Sequence, residues 1–455
     1  MLYDQPAELL PFQVLRNTLF DYISYWMELV NKHENVTVGP SDKNRTGKKS
    51  FLSPRFSIKA LLLLTTILAV VIAYYLHLSQ IRDAVVAVEA IGGKVGYFEK
   101  DPNAIGWLEA KLRQRLPRCY FDDVKRVESD PERGPIRGFF NSKTADWGAD
   151  GKSLHHLSVF TSLEELVLDS STVNDEALKH LSGLDSLKML SLSHTRIQGP
   201  GFANLSKLKN LRKLGLAWTQ FGDSDLEHLS QLTSLEVVYL GSTRVTGKEL
   251  AHLSGLESLR ELVLAGLKLG NDDLAHLSKL DSLEVLNLSS TPIGDTGVAH
   301  LSCLNSLINL DLYSTQVGSP GLAHLSKMRS LKKLNLRGTQ VDDAGMAHLA
   351  DLTSLEEVNL SFTKVGDAGM QHFSKLKALR ELRLERTNVG DLGAGYLAGL
   401  PNLKILSLYN TAVTDVGAMQ LSELKSLEQL HFQNSEVTEE AKNELRKILP
   451  DCWVH

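Results

Sequence analysis

The apolar and polar positions of this chain follow one pattern that repeats every 24 residues over more than half of its length. The clearest copy, residues 331–354, reads LKKLNLRGTQVDDAGMAHLADLTS. Twelve copies follow one another without insertion or deletion, and their opening leucines are Leu163, Leu187, Leu211, Leu235, Leu259, Leu283, Leu307, Leu331, Leu355, Leu379, Leu403 and Leu427. A fixed period of this length predicts a solenoid, because a unit this short cannot bury its apolar face alone and stacked units share one core.

Each copy divides into a strand, a turn and a helix. Leu334 and Leu336 alternate with polar residues, which is the pattern of a short strand with one buried face. Met346 and Leu349 begin an apolar stripe at helical spacing. We predict Asp343 as the N-cap of this helix, because its carboxylate can accept the unpaired N–H groups of the first turn.

A column of hydroxyl side chains lies eight residues after the opening leucine. It consists of Ser171, Thr195, Thr219, Thr243, Thr291, Thr315, Thr339, Thr363, Thr387, Thr411 and Ser435. A turn that enters the core carries backbone groups that need partners, and a small hydroxyl can both donate and accept. We therefore interpret the column as structural rather than catalytic. Leu267 interrupts it, so we expect the fifth copy to turn differently.

The pattern LxxLxLxxTxVxDxGLxxL resembles the leucine-rich repeat family, with Thr where that family more often has Asn, and the resemblance covers roughly residues 163–450. It implies an α/β solenoid of horseshoe form, with a parallel sheet on the concave side and helices on the convex side. It also implies ligand binding on the concave face rather than catalysis. The glycine before each helix, as in Gly297, Gly321 and Gly345, is similar to bacterial versions with 24-residue repeats, and the whole layout resembles membrane-anchored repeat proteins of planctomycete-type bacteria.

A second strong signal is the uncharged run ALLLLTTILAVVIAYYL at residues 60–76. About 20 apolar residues cross a bilayer core as a helix, so we predict one transmembrane helix at residues 58–78; a buried helix of a soluble protein is the alternative. Basic residues exceed acidic ones only on the N-terminal side, which places residues 1–57 in the cytoplasm and the repeats outside it. The leader is too long for a cleaved signal peptide, so the chain is predicted to be a single-pass membrane protein with a signal anchor.

Shorter segments flank these two features. Residues 1–57 form an N-terminal segment, partly disordered, in which LLPFQVLRNTLFDYI resembles an F-box. Residues 79–150 predict a small α/β capping region and a loop, with helices at 79–91 and 103–116 and strands at 94–98 and 120–127. Leucine-rich repeats are predicted over 151–436, starting with half a copy, and a C-terminal cap over 437–455.

Composition and motifs exclude several functional classes. The net charge is −5 and the repeats contain no basic block, which argues against nucleic-acid binding. Cys119, Cys303 and Cys452 are scattered and form no disulfide framework or metal motif. The segment that ends in Lys152 resembles a phosphate loop, but Asp146 stands where its first glycine is needed. We therefore predict no catalytic residues, no cofactor and no enzymatic activity.

Nine histidines recur at one position of the helix: His156, His180, His228, His252, His276, His300, His324, His348 and His372. Each precedes a buried leucine or its equivalent, which places it on the half-exposed flank of the helix. Successive helices are too far apart for a chain of metal sites with 2.0–2.1 Å ligand distances. We expect these histidines to pack and to form hydrogen bonds with the neighbouring copy, and a response to pH stays open.

The concave face is where a ligand is expected. Its residues come 1, 2, 4, 6 and 7 positions after each opening leucine and are mostly charged, with both signs present. Aromatic and arginine side chains are common interface anchors, and they stand out here. The candidate ligand-binding residues are Trp218, Tyr239, Tyr313, Phe362, Arg380, Arg383, Arg386 and Tyr409.

These observations favour a membrane-anchored recognition protein that binds a protein or peptide ligand on its concave face outside the cytoplasm. An anionic glycan is a second possible ligand class. One alternative is an intracellular adaptor of the F-box type, in which the apolar stretch is only a tether. Another is a structural scaffold of the cell envelope without a dedicated ligand.

Overall fold

The computed structural model describes residue 76 and residues 79–86, 93–98, 123–129 and 152–455. The chain divides into two compact units, Met1–Val85 with Tyr97–Asp123 and Val86–Gly96 with Val124–His455. In the first unit residues 79–85 are helical, as predicted, and Ala84 and Val85 are buried. The second unit contains the repeats.

The predicted transmembrane helix at 58–78 lies outside the described residues, except for Leu76. The predicted helix at 103–116 lies outside them as well. So does the predicted loop at 129–150, except for Ser129, which is the last residue of a strand. Within the ranges that are described, no helix is both long enough and apolar enough to cross a membrane.

Fifteen strands of the described residues lie in chain order in one sheet. They are β1 Gly93–Phe98, β2 Asp123–Ser129, β3 Glu165–Val167, β4 Met189–Ser191, β5 Lys213–Gly215, β6 Val237–Tyr239, β7 Glu261–Val263, β8 Val285–Asn287, β9 Asn309–Asp311, β10 Lys333–Asn335, β11 Glu357–Asn359, β12 Glu381–Arg383, β13 Ile405–Ser407, β14 Gln429–His431 and β15 Trp453–Val454. Strands β2 to β15 pair in parallel. From β3 onward the register advances by one 24-residue copy: Leu334 lies opposite Leu310 on one side and Val358 on the other.

Short helices follow the strands. The 3₁₀ helices are Lys152–Val159, Asp175–Leu181, Pro200–Leu205, Asp223–Asp225, Leu250–Leu253, Asn271–Lys279, Ala323–Leu325, Gln371–Lys375 and Leu421–Glu423. The α-helices are Leu226–Leu229, Asp295–Ala299, Ser319–Leu322, Asp343–Leu349, Asp367–Met370, Asp391–Leu397, Asp415–Gln420 and Glu439–Ile448. Most copies therefore have one or two helical turns, a length at which the tighter 3₁₀ geometry is common.

The core is a stack of identical apolar layers. In the copy that opens at Leu331, the buried residues are Leu331, Leu334, Leu336, Val341, Met346, Leu349 and Leu352, each 2% exposed or less. Leu154, Leu157 and Phe160 are equally buried in front of the first full copy, and Lys152–Val159 is helical, in agreement with the predicted half repeat. In the last copy, which opens at Leu427, the helix Glu439–Ile448 occupies the helix layer, and β15 then adds one more strand to the sheet.

The hydroxyl column has the structural role that the sequence predicts. In each of the eleven copies with Ser or Thr at this position, the hydroxyl donates to the carbonyl oxygen three residues earlier, as Thr339 does to Leu336 at 2.7 Å. The expectation that the fifth copy turns differently is wrong. Gly266 has the same left-handed backbone (φ 71°) as its equivalents in the other copies, and Leu267 is buried where the threonine would be. An apolar side chain fills the same site, so only the hydroxyl bond is lost.

The prediction that Asp343 is the N-cap of its own helix is wrong by one residue. Asp342 is the N-cap and accepts the N–H of Ala344, whereas Asp343 is the first helical residue. The Asp343 carboxylate instead accepts the N–H of Gly366, the N-cap of the next helix, at 2.6 Å. Each aspartate at this position thus caps the following copy, and the repeated acceptors are Asp175, Asp223, Asn271, Asp295, Asp343, Asp367, Asp391 and Asp415.

Candidate functional site

The exposed face of the sheet is the candidate binding surface, and the alternation of each strand defines it. We number positions from the opening leucine, so that position 3 is three residues after it. Position 3 is buried in every full copy, and positions 2 and 4 face the other way. We call the surface formed by positions 1, 2, 4, 6 and 7 the concave face.

Position 7, where the strand turns toward the helix, has a left-handed backbone in all twelve copies. Its φ values lie between 51° and 71°, and the residues are Ser170, His194, Trp218, Ser242, Gly266, Ser290, Ser314, Gly338, Phe362, Arg386, Asn410 and Asn434. Gly and Asn adopt this conformation readily, but bulky side chains do so rarely. Trp218, Phe362 and Arg386 therefore have a backbone conformation that is unfavourable for their residue types. These are three of the eight candidate ligand-binding residues.

Trp218 and Tyr239 lie at the N-terminal part of the face. Trp218 is 62% exposed, and its ring stacks on that of His194 with centroids 5.4 Å apart. The Tyr239 hydroxyl donates to the Glu261 carboxylate at 3.1 Å. Burial, the charge of Glu261 and this hydrogen bond raise the pKa of Tyr239 to about 12. Trp218 is thus an open platform, whereas Tyr239 is fixed by a neighbouring strand.

Phe362 lies between two guanidinium groups. Arg337 lies 4.2 Å from the ring centroid and Arg386 lies 5.1 Å from it. Arg337 is also held by the Glu385 carboxylate at 2.8 Å, across two copies. Cation–π contacts of this kind hold an exposed aromatic ring in a fixed position. Phe362 is 39% exposed, so the cluster forms an ordered aromatic and cationic site at position 7.

Much of the rest of the face is neutralised by ion pairs between neighbouring copies. At position 1, Lys188 pairs with Glu164, Arg212 with Glu236, Arg260 with Glu284, Lys332 with Glu356 and Lys404 with Glu428. The candidate arginines at 380 and 383 are also paired, Arg380 with Glu356 of the preceding copy at 3.9 Å and Arg383 with Glu381 of its own strand at 2.6 Å. Only Arg383 of the three candidate arginines lies within β12, since Arg380 precedes the strand and Arg386 follows it. These ion pairs leave little net charge at positions 1 and 2.

Tyr409 and Arg383 meet in a concavity of about 580 Å³ on the last three copies. Its lining consists of Arg383, Glu385, Ile405, Ser407, Tyr409, Gln429, His431 and Gln433. Asn434 donates to the Tyr409 hydroxyl at 2.6 Å, which orients that ring. The other candidates, Tyr313 among them, lie outside this concavity; Tyr313 is at position 6 and is 40% exposed.

His431 was missed by the sequence analysis. Burial and the neighbouring His455 hold the pKa of His431 below its ordinary value, and the two rings are parallel at 5.4 Å. The nearby Glu385 acts in the opposite direction. A signal was present. Positions 4 and 6 of the last three copies carry large polar residues at every place but Ser407, whereas the same positions in earlier copies carry Gly215, Ala217 and Gly241.

The histidine column lies on the helix flank, as predicted, and His324 is the most exposed member. For His252 and His372 the polar partners lie in the same copy: Glu249 Oε2 at 3.1 Å and Gln371 Nε2 at 3.3 Å. The predicted bonds to the neighbouring copy are therefore not formed by these two. Across the described ranges, no three His, Cys, Asp or Glu residues are grouped so that they could hold a metal ion.

The fold and the face define a class: a repeat solenoid with an ordered parallel sheet and an exposed face free to vary. Family models described as "Leucine rich repeat" match residues 377–436 and residues 279–302, 327–350 and 351–374. Through these repeats the chain belongs to the leucine-rich repeat family. Neither model describes a catalytic family.

Two solved structures are similar to the chain in fold. A leucine-rich repeat protein of Leptospira interrogans is 24% identical with a TM-score of 0.55, and the match covers 66% of this chain and 74% of that one. An internalin of Listeria monocytogenes is 23% identical with a TM-score of 0.50, and the match covers 61% of this chain and 83% of that one. A comparison with the curated proteins gives no significant match.

Proposed function

We propose that this protein recognises a protein or peptide ligand on its concave face and that residues 58–78 anchor it in a membrane, with the repeats outside the cytoplasm. It is a binding protein and not an enzyme. One observation carries the proposal. On the same surface most charged side chains are paired with each other, whereas the aromatic rings are held in exposed positions. Exposed, ordered aromatic side chains are what interfaces use as anchors, whereas paired surface charges add little.

The ligand class follows from the shape and chemistry of the surface. The concavities of about 580 and 370 Å³ are open, and the face extends over twelve copies, which suits an extended or folded polypeptide better than a small molecule. Arg380 and Arg383 are already paired with carboxylates, which weakens the case for an anionic glycan at that position.

The experiment places a photo-crosslinking amino acid at position 313 or position 392 of the full chain in living cells. Tyr313 is on the concave face and Leu392, which is 70% exposed, is on the helix side. The proposal expects discrete cross-linked protein bands from position 313 and none from position 392. Bands from position 392 alone would move the interface to the helices, and their absence from both would favour a scaffold without a ligand.

The membrane anchor and its orientation rest on the sequence. The uncharged run and the excess of basic residues before it support a helix with its N-terminus in the cytoplasm. Protease treatment of spheroplasts tests the orientation, because exposed repeats should be cleaved while residues 1–57 stay protected. The reverse pattern would favour the intracellular adaptor instead.

A further inference from the structure

Side-chain size follows a regular pattern along the turn edge of the sheet. Trp218 and Phe362 occupy the same position 7, six copies apart. Every residue between them at that position is small: Ser242, Gly266, Ser290, Ser314 and Gly338. We call this row the turn track. It is a shallow channel whose two ends carry exposed aromatic rings.

The turn track contains a hollow of its own. A depression of about 370 Å³ is lined by Ser290, Thr291, Pro292, Ser314, Thr315, Gln316 and Gly338. These residues are positions 7, 8 and 9 of two neighbouring copies together with position 7 of the next. The hollow therefore lies between the two rings and nearer to Phe362 than to Trp218, where the small side chains leave space.

Charge distinguishes this edge from the rest of the face. Position 9, two residues farther along each turn, carries Arg196, Arg244, Lys268 and Lys364, all exposed. None of these four cations forms an ion pair with another residue of the described ranges, in contrast to the paired cations of position 1. The side chain of Arg386 lies over the Phe362 ring and likewise forms no ion pair within the part of the chain that is described. Arg244, Lys268 and Lys364 lie between the two rings, whereas Arg196 lies one copy before Trp218. Lys364 helps to lower the pKa of the Asp342 carboxyl. The track thus carries exposed cations without ion pairs toward its two ends.

The spacing of the rings sets the size of the occupant. Neighbouring strands lie about 4.8 Å apart, so six copies place the two rings roughly 29 Å apart. An extended polypeptide advances about 3.3 Å per residue, which corresponds to about nine residues between the two contacts. Unpaired cations along such a track complement carboxylates of a ligand and speed its association.

We propose that the turn track between Trp218 and Phe362 binds an extended acidic peptide segment, with apolar side chains about nine residues apart packing on the two rings. This rests on the proposed function and narrows it to one edge of the concave face. The hollow at Ser290 and Ser314 receives a side chain from between the two apolar residues of the segment. Acidic side chains of the segment lie beside the position 9 cations.

The test uses phage-displayed random peptides longer than about nine residues, selected on the full-chain protein in detergent. Selected peptides should be rich in Asp and Glu and carry two apolar residues at the predicted spacing. Affinity of one selected peptide is then measured by fluorescence anisotropy for wild type and three variants. Binding should weaken with added salt, because the position 9 charges are exposed.

The repeats themselves supply substitutions that the fold accepts. Ser290→Phe with Ser314→Phe fills the track with a side chain that position 7 already holds at Phe362. Arg244→Gln, Lys268→Gln and Lys364→Gln introduce the residue that position 9 holds at Gln316. The control is Val285→Lys at position 2 of the same region, where Lys213 and Lys333 occur natively.

Both track variants should weaken the peptide at least about tenfold, whereas Val285→Lys should change its affinity by less than about twofold. Unchanged affinity in the Ser290→Phe, Ser314→Phe variant overturns the proposal, as does selection without acidic peptides or no selection at all. A loss confined to Val285→Lys would place the peptide on the strands, so the proposed function would stand while the track assignment fails. Cross-linking from position 313 remains an independent measure of concave-face binding.

Discussion

The Asp367 carboxylate and the backbone of Gly393 are in direct contact across a repeat boundary. Asp367 Oδ1 accepts the N–H of Gly393 at 2.9 Å and that of Gly390 at 2.6 Å. A Cβ added to Gly393 would lie 2.6 Å from the same oxygen, so only glycine fits. The aspartate at position 12 of one copy and the glycine at position 14 of the next are therefore one structural unit, and the same contact joins Asp175 to Gly201, Asp295 to Gly321 and Asp391 to Gly417.

The unit is inverted at two boundaries. Gly199 stands where the aspartate is expected, and the residue at position 14 of the next copy is Asp225 rather than glycine. Gly247 and Asp273 repeat this exchange. Asp225 and Asp273 accept the N-cap N–H of their own helices, from Gly222 at 3.2 Å and Gly270 at 2.6 Å. At these two boundaries the capping carboxylate therefore comes from the same copy as the helix and not from the preceding copy.

Gly393→Ala should destabilise the protein by roughly 1–3 kcal/mol, because its methyl group would overlap the Asp367 carboxylate. This outweighs the gain of about 1 kcal/mol that Ala normally brings to a helix. Gly399→Ala is the control, since nothing lies within 4 Å of its added Cβ, and it should be close to neutral. Chemical unfolding of the full chain followed by circular dichroism measures both, and equal stabilities would contradict the account.

Asp367→Ala should cost about 1–3 kcal/mol, because two backbone N–H groups lose their acceptor at a partly buried site. Asp367→Asn should cost much less, since Asn271 accepts the equivalent N–H of Gly294 at 2.8 Å. The same unfolding experiment compares the two variants. A loss of the same size in both would mean that the charge, and not the hydrogen bonds, holds the boundary together.

Asp225 and Asp391 should respond to pH in opposite ways. Burial raises the pKa of Asp225, so its contribution to stability is present below the unfolded-state pKa and is lost as pH rises through the folded-state value. Burial would also raise the pKa of Asp391, but hydrogen bonds from Thr414 and Gly417 outweigh it and leave that pKa low. The stability from Asp391 is therefore present above the unfolded-state pKa and is lost as pH falls through the folded-state value.

The asparagine variants separate these two cases. At neutral pH, Asp225→Asn should leave the protein as stable as wild type or more so, and Asp391→Asn should weaken it. Both differences should shrink as the pH is lowered below the ordinary aspartate pKa, because the wild-type carboxyl is then neutral too. Urea unfolding at neutral and acidic pH provides the data, and a stabilising Asp391→Asn at neutral pH would refute the assignment.

Much of the fold could be predicted from single residues of one copy. Leu334 and Leu336 fixed the strand, and Met346 and Leu349 fixed the helix, because apolar periodicity reports burial directly. The position of the cap could not be predicted in this way. Asp343 and Asp342 are both suitable N-cap residues, and only the stacking of copies reveals that Asp343 bonds to the copy that follows.

The binding surface was less predictable than the core. Trp218 and Phe362 stand out as aromatic residues. Their left-handed backbone conformation is imposed by the turn and cannot be recognised from these two residue types. The pairing of Arg383 with Glu381 depends on rotamers, and the contact between His431 and His455 depends on a strand beyond the last repeat. Apolar periodicity reports burial and not contacts between polar side chains, even for His431 and His455, which are one 24-residue period apart.

Tyr239 should ionise with a pKa of about 12, well above its ordinary value. Burial is the main cause, and the Glu261 charge and hydrogen bond add to it. Glu261→Gln should therefore lower this pKa part of the way toward the ordinary value without restoring it fully. Ultraviolet titration of tyrosinate, with Tyr239→Phe to identify the signal, measures the change. An unchanged titration in Glu261→Gln would show that the hydroxyl does not bond to Glu261.

The central claim is that ligand recognition lies on the sheet side of the array. Its most direct test is the affinity of a cross-linked and identified partner for matched variants of the two sides. The sheet-side variants are Trp218→Ser at position 7 and Tyr313→Ser at position 6, and both positions carry Ser in other copies. The helix-side variant combines Leu392→Ala and Val416→Ala at position 13, which carries Ala in other copies. The account predicts a loss of at least about tenfold for the sheet-side variants and less than about twofold for the helix-side pair. The opposite order of losses would contradict it.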